Sequence, residues 1–502
     1  MSSFLNLLSA HGTRISLYFC ALLLLAGTGI DALPAQLQAS SSDPFLPSPF
    51  SWNHGKDYPT VSQISLGASH SCALMNSTEG VRCWGENIYG QLGVGSMAIM
   101  LTIPGDDVLY GVRQIAAGGR HTCVLMKIDG GVRCWGWNSD GQLGMGNTIN
   151  IFVPPLDDVL RGAIQVVTGG RHTCALMNGT GGVRCWGGND MGQLGIGNYT
   201  NLLAPLYQNI LEGVIQIAAG DSHTCALMNE TGGVRCWGWN IDGQLGMGIF
   251  NESLPAPPIF DILTDVTEIA VYGVHSCALM KENGGVRCWG SNMFGELGVG
   301  DTNSRYAPPS GDVLEGAVHI AAGDSHTCAL MHGTWGVRCW GSNREGQLGT
   351  GNITMSECPY LTRLMPCLMK PPTYDALSGV LQISVGNYHN CALMNTSRGV
   401  RCWGFNDNGQ LGIGNTTDLL VPPSSDLLFP NHPQPPTPPP PRPDGSSLSR
   451  GALFGILGAS IMVSAFLVFA GYSLYVRRSL RKEKELLSTH INSQDTQDYK
   501  TF

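Results

Sequence analysis

HTCALMNGTGGVRCWGGNDMGQLGIGN, His172 to Asn198, is one of seven copies of the same unit. Cys72, Cys123, Cys174, Cys225, Cys277, Cys328 and Cys391 each stand two residues after a histidine, at intervals of 51, 51, 51, 52, 51 and 63. Eleven positions further on come Cys83, Cys134, Cys185, Cys236, Cys288, Cys339 and Cys402, each followed by Trp-Gly. Copies at a nearly constant period mean a repeat architecture, in which each unit buries its faces against its neighbours. Inside a unit, IQVVTGG, HTCALM and GVRCWG are short apolar runs bounded by Gly, Asn and Thr, which reads as strands. None reaches helical length. Seven small sheets set radially leave few exposed edges.

The pattern G-x-x-H-T-x-A-L, V-x-x-W-G-x-N and G-Q-L-G-x-G resembles the regulator-of-chromosome-condensation repeat family, in register across about residues 61–428. The resemblance implies an all-β fold, a seven-bladed β-propeller of four-stranded blades, here placed at residues 59–428. Unit five departs from the pattern, with VYGVHSC up to Cys277 and Glu296 in place of the usual glutamine. The last unit ends in LLVPPSSDLL (419–428), which parallels FVPPLDDVL (152–160). The first strand, VSQISLG (61–67), parallels AIQVVTGG (163–170). Segment 419–428 is therefore expected beside 61–67, closing the ring.

Composition limits the alternatives. The 502 residues include 67 Gly, 29 Pro and 17 Cys, and only 13% are charged. A mean hydropathy of +0.03 excludes a chain that is mostly transmembrane. A hydrophobic fraction of 43% supplies a core and argues against disorder. The net charge is −9, yet residues 477–502 carry six cationic against four anionic side chains, so the rest is more acidic still. Such a body is a poor match for a phosphate backbone, and no nucleic-acid partner is expected.

Two apolar runs give an address. ISLYFCALLLLAGTGI (15–30) follows Arg14 and precedes the small residues Ala32 and Ala35, which reads as a signal peptide over residues 1–35. Residues 452–476 hold 25 residues without a charge and are followed at once by RRSLRK. As a helix they reach roughly 37 Å, enough for a hydrocarbon core of about 30 Å. The basic cluster puts residues 477–502 in the cytoplasm and the body outside, a single-pass type I membrane protein of the secretory pathway or cell surface. Residues 429–451 form a Pro-rich stalk, with PNHPQPPTPPPPRP (430–443) in polyproline II. Gly451, Gly455 and Ala459, spaced by four, offer a homodimer contact, although small residues are common in such helices. The terminal Tyr499-Lys500-Thr501-Phe502 resembles a tyrosine-based sorting signal, with a plain solvated tail as the favoured reading.

Cysteine spacing carries the second argument for export. If Cys174 and Cys185 face each other in a hairpin, their Cα atoms lie about 4.5–5.5 Å apart, within disulfide reach. Seven disulfides inside blades are expected, plus one loop disulfide between Cys358 and Cys367 in the long interval. Zinc on His-x-Cys and Cys, or free buried thiols, are the alternatives. Three ligands suit only an open zinc site, and oxidising export favours disulfides. Eight Asn-x-Ser/Thr sequons, at Asn76, Asn178, Asn198, Asn229, Asn251, Asn352, Asn395 and Asn415, fall in expected loops and read as glycosylation sites.

No HExxH, GxxxxGK or GxSxG motif occurs. No catalytic residue, metal site or cofactor is assigned, and a non-enzymatic chain is expected. The seven histidines and the arginine before each second cysteine recur once per blade, which suits architecture: a satisfied ring nitrogen between strands and a guanidinium paired between blades. Function is sought where the units differ. After Trp-Gly stand Glu86, Trp137, Gly188, Trp239, Ser291, Ser342 and Phe405. Tyr89, Trp137, Trp239, Phe294, Arg344 and Phe405 form the candidate ligand face, since aromatics and arginine anchor partners. The alternative is loop residues packed on their own blades. A receptor, adhesion or interaction module for a protein or glycan is the first reading, in line with plant receptor kinases that carry related repeats. The resemblance also implies guanine-nucleotide exchange, the namesake's activity on a small nuclear GTPase. Its third implication is an extracellular enzyme inhibitor, because a secreted bacterial relative inhibits β-lactamases.

Overall fold

The computed structural model describes residues 60–427, apart from 250–251, 352–355 and 361–362. The expected signal peptide, stalk, membrane helix and tail lie outside the described residues. Among the described residues no helix is long and apolar enough to cross a membrane.

Seven antiparallel sheets follow one another along the chain. In the first, Val61–Leu66 pairs with His70–Met75, which pairs with Val81–Gly85. The inner strands of the other six are Val112–Ala117, Ala163–Thr168, Val214–Ala219, Val266–Tyr272, Ala317–Ala322 and Val380–Val385. Their burial does not alternate: VSQISL is buried at its first, fourth and sixth positions. A bulge between Val61 and Gln63 shifts the register and restores the apolar side chains to the seams. The second and third strands, such as HTCALM and VRCWG, are packed on both faces. That is why they read as continuous apolar runs.

The fourth strand is the short Ser253–Leu254 in the fourth blade and is reduced elsewhere, outside the sixth, to contacts at two ends. Gly85 bridges Met100 and Val81 bridges Leu109, while the chain between bows away around Pro104. Equivalent bridges recur at Gly136–Ile151 and Val132–Leu160. Proline has no amide to donate, so it interrupts the ladder there. The bowed segment instead returns an acid to the third strand: Arg82 meets Asp107 at 2.6 Å, Arg133 meets Asp158 at 2.6 Å and Arg401 meets Asp426 at 2.7 Å. The repeated arginine thus pairs within its own blade and not between blades. In the sixth blade the extra residues extend the sheet as the hairpin Ser356–Tyr360 and Arg363–Leu368, where a loop was expected.

Cohesion lies at the seams. Each apolar cluster joins two neighbouring blades, as where Cys174, Leu176 and Val183 of the third meet Ile217, Met228 and Trp237 of the fourth. At every seam the GQLG turn of one blade, GELG in the fifth, caps the tryptophan of the next. The Gln91 carbonyl accepts from Trp135 Nε1 at 3.0 Å and from the Thr122 hydroxyl at 2.8 Å. Because that hydroxyl donates to the carbonyl, it accepts from His70 Nε2 at 2.9 Å. The seven histidines are therefore neutral cross-blade donors, and burial holds their pKa values down to about 3 or 4. Gly93, at φ +74°, packs so close to Trp135 that a Cβ would lie 2.8 Å from its Nε1.

Along the central shaft a second device repeats. The Gln63 amide donates to the Ile115 carbonyl and accepts from the Ile115 N–H, at 3.1 and 2.9 Å. Gln114, Gln165, Gln216 and Gln382 clasp Val166, Ile217, Ile269 and Ile64 in the same way.

The ring closes otherwise than 419–428 beside 61–67. Leu419 bridges Gly404 and the Leu427 N–H donates to the Val400 carbonyl, so this segment edges the last blade's own third strand. Closure comes from the last GQLG turn and the inner-strand clasp. Trp84 Nε1 and Ser71 Oγ donate to the Gln410 carbonyl at 2.9 and 2.8 Å, and Ile413 bridges Thr102. The ends meet by the same kinds of contact that join neighbouring blades elsewhere in the ring, with no exchanged strand.

Each repeat cysteine pair stands directly opposite in its hairpin, as Cys225 opposite Cys236, with Cα atoms 4.1 Å apart. All eight expected pairs, Cys358–Cys367 included, have their sulfurs at bonding distance. The histidine near each first cysteine turns to the next blade and not toward the sulfurs. If the pairs are oxidised in the cell, iodoacetamide applied without reductant should label none of the sixteen cysteines in these pairs. Reduction in denaturant should expose all of them. Sixteen labelled thiols before reduction would refute the pairing.

Candidate ligand-binding face

The variable positions come together because a backbone bond ties two loops. In each blade the N–H of the residue after Trp-Gly donates to the carbonyl of the residue before the histidine. Trp137 thereby joins Arg120 at 3.0 Å, Trp239 joins Ser222 at 2.9 Å and Phe405 joins Tyr388 at 2.9 Å. Two rings of differing side chains, one nearer the shaft and one outside it, share one face. The turn beyond is fixed by the buried glutamine of GQLG, whose Oε1 accepts from the Tyr89 N–H in the first blade at 3.0 Å. In the fifth blade Glu296 takes this role, bonded to the Phe294 N–H at 2.7 Å and the Ser291 hydroxyl at 3.0 Å. Burial pushes its pKa up to about 7.

Of the candidate residues, the fold unites Tyr89 and Trp137, with ring centroids 5.8 Å apart. Arg120 lies over both rings, at 5.1 and 5.7 Å, and Arg171 lies over Trp137 at 5.6 Å. Phe405 meets Tyr388 edge-on at 6.3 Å. Trp239 and Phe294 are half-buried at the equivalent places on the fourth and fifth blades. Arg344 is exposed and pairs with its neighbour Glu345 at 2.9 Å.

The remaining loops between inner and second strands give the far side of the face an opposite charge. Tyr388 donates to Asp324 at 3.0 Å, and Tyr272 donates to the Asn387 side chain at 2.8 Å. Burial, with the charge of Asp324 nearby, raises the Asp221 carboxyl to about 6. Burial also raises Asp324, against the hydrogen bonds from Tyr388 and Ser325. Arg120, Arg171, Asp324 and Tyr388 were absent from the sequence-based set. The residue before each histidine varies among repeats just as the one after Trp-Gly does, and that comparison would have found most of them.

The sequons avoid this centre. Asn76, Asn178, Asn229 and Asn395 are exposed on hairpin turns at the opposite end of the blades, and Asn198 and Asn415 are exposed in outer loops. Asn251 and Asn352 lie outside the described residues.

Seven blades around a shaft define a seven-bladed β-propeller. The family model for the RCC1-like domain matches residues 106–430, and that for the regulator of chromosome condensation (RCC1) repeat matches 61–91. The chain belongs to the RCC1-repeat family. It is 31% identical over 370 residues to an ultraviolet-B receptor of Arabidopsis thaliana, covering 72% of this chain and 80% of that one. A secretion-regulating guanine nucleotide exchange factor of Bos taurus is 28% identical over 377 residues, covering 70% and 80%. A probable E3 ubiquitin-protein ligase of Rattus norvegicus is 34% identical over 352 residues, covering 68% of this chain but 32% of the ligase. Among solved structures, yeast RCC1 (Prp20) aligns with TM-score 0.58 at 20% identity, over 78% of this chain and 91% of that one. Human WBSCR16 aligns with TM-score 0.55 at 24% identity, over 68% and 92%. Those two likenesses concern the fold alone.

These relatives correct one expectation. A non-enzymatic chain was expected from the missing motifs, but proteins sharing the propeller are named as ubiquitin ligases and as an exchange factor. Family membership does not exclude enzymatic function, and that expectation is withdrawn.

Proposed function

We propose that this propeller is an interaction module whose ligand surface is the face carrying Tyr89, Arg120, Trp137 and Arg171 on one side and Asp324, Tyr388 and Phe405 on the other. One observation carries the reading: side chains that differ from blade to blade gather on this face, while the seams repeat with little change. Guanidinium groups stacked on aromatic rings keep their edge N–H groups available to an oxygen-bearing partner. The partner is an extracellular or luminal protein or glycan. Cysteine pairs at disulfide distance support an oxidising compartment. The apolar runs at 15–30 and 452–476, with exposed sequons such as Asn76, Asn178, Asn229 and Asn395, support a single-pass type I membrane glycoprotein.

Proximity labelling with the full chain, compared with the R120A/W137A/R171A variant, tests the face. Captured partners should fall by about tenfold or more, since several anchors are lost together, with the thermal midpoint unchanged. Equal capture at equal stability would refute it. The second reading is guanine-nucleotide exchange, favoured by the name of the bovine relative. Glycosidase and protease digestion of sealed membranes separates the two. A propeller that is unglycosylated and cytosolic overturns the receptor reading and favours exchange.

A further inference from the structure

Five of the seven shaft seams are closed by the glutamine clasp described above, and two consecutive blades depart from it. The position holds Glu268 in the fifth blade and His319 in the sixth. The clasp needs one atom that accepts and one that donates, and an ionised carboxylate only accepts. Glu268 accepts from the Ile320 N–H at a long 3.5 Å and has nothing to give to the Ile320 carbonyl. His319 stands in place of that donor, with Nδ1 2.6 Å from Glu268 Oε1. The two side chains are 35% and 19% exposed, respectively, and both line the central shaft, a cavity of about 280 Å³.

We propose that Glu268 and His319 make the seam between the fifth and sixth blades a pH-sensitive clasp, tight when the imidazole is protonated and loose when it is neutral. A carboxylate holds a neutral imidazole by an ion–dipole hydrogen bond and an imidazolium by the attraction of opposite charges as well, so the proton decides how firmly these strands are held. Burial alone would lower the His319 pKa. The hydrogen bond and charge of Glu268, with a backbone hydrogen bond at Ile383, outweigh it and place the pKa above the ordinary 6.5. The folded value therefore exceeds the unfolded one. The contribution is fully present below the unfolded value and is lost as pH rises through the raised folded value.

The other titratable groups on the surrounding strands are few. Val266–Tyr272 adds Tyr272, which burial holds well above its usual range, and Val380–Val385 has none. His275 and His326, on the adjoining strands, stay neutral, at about 3 and about 4. Asp324, at the far end of the sixth blade, and Asp221, on the fourth, lie on the ligand face. Tyr272 and Asp324 also sit where the two clasped blades reach that face, so the seam sets their spacing. That consequence rests on the binding reading, whereas the clasp itself can be measured without a ligand.

The test is hydrogen exchange of the 317–322 segment in the full chain, held in detergent, at pH 5.5 and 7.5 with intrinsic rates corrected. In the natural chain, protection should be about fivefold greater at pH 5.5, roughly what gaining one partly exposed ion pair gives at most. E268Q/H319Q gives every seam an amide, and its ratio should fall to about one. E268Q alone should do the same. A ratio of about one in the natural chain overturns the proposal whether or not the variants fold. An unchanged fivefold ratio in E268Q would assign the effect to Asp221 and Asp324 instead.

Discussion

Trp84→Ala is expected to destabilise the propeller by about 3–5 kcal/mol, the usual range for deleting a fully buried tryptophan, and to open the ring. Trp84 is 0% exposed and packs at the seam between the last blade and the first. It loses its bond to the Gln410 carbonyl and its contact with Gly412, where even a Cβ would lie 2.8 Å from the indole nitrogen. Trp237→Ala removes the same side chain from the seam between the third and fourth blades, which the chain itself still links. Urea unfolding of the two variants distinguishes a local packing loss from ring opening. Trp84→Ala should be the less stable and should expose apolar surface before global unfolding. Identical curves would mean that the closing seam has no special role.

Arg82→Met should follow closely, again by about 3–5 kcal/mol, because it strips a guanidinium from a buried ion pair. Arg82 and Asp107 are 1% and 0% exposed, so water cannot replace the missing partner. Arg133→Met should lose less, since that arginine is 20% exposed. Arg184→Met should lose least, since its partner is the neutral Asn209 at 2.9 Å. Thermal midpoints of the three variants check this ordering. Equal losses would mean that packing, and not charge, dominates.

The blades could be read from the chain because each strand pair is a local hairpin. Cys174 and Cys185 are separated by a short turn, so spacing alone set them opposite one another. The fourth strand was harder. Its prolines interrupt the ladder, and the acid that answers the third-strand arginine comes 25 residues later, as Asp107 does for Arg82. Nothing in the spacing distinguished that partner from one in the next blade. The insertion around Cys358 and Cys367 reads as a loop from sequence because its strands lack the repeat signature.

The candidate face was half legible. Tyr89, Trp137 and Phe405 stood out as large residues at varying positions. Arg120 and Arg171 did not, because they precede a histidine inside an otherwise regular strand entry. Arg120 meets Trp137 across two loops of the second blade, and Arg171 reaches it from the third.

By itself, the sequence determined the repeat number, the strands of each blade and the cysteine partners, since these depend on spacings short enough for one hairpin to enforce. Only the tertiary structure decided that Gln410 and Gln382, and not residues 419–428, close the ring onto the first blade. It alone brought Arg171 to Trp137 and His319 to Glu268. These pairs are separated by 34 to 326 residues, and their adjacency follows from the radial stacking of whole blades. That stacking is set by seven apolar seams acting together, which no local pattern encodes.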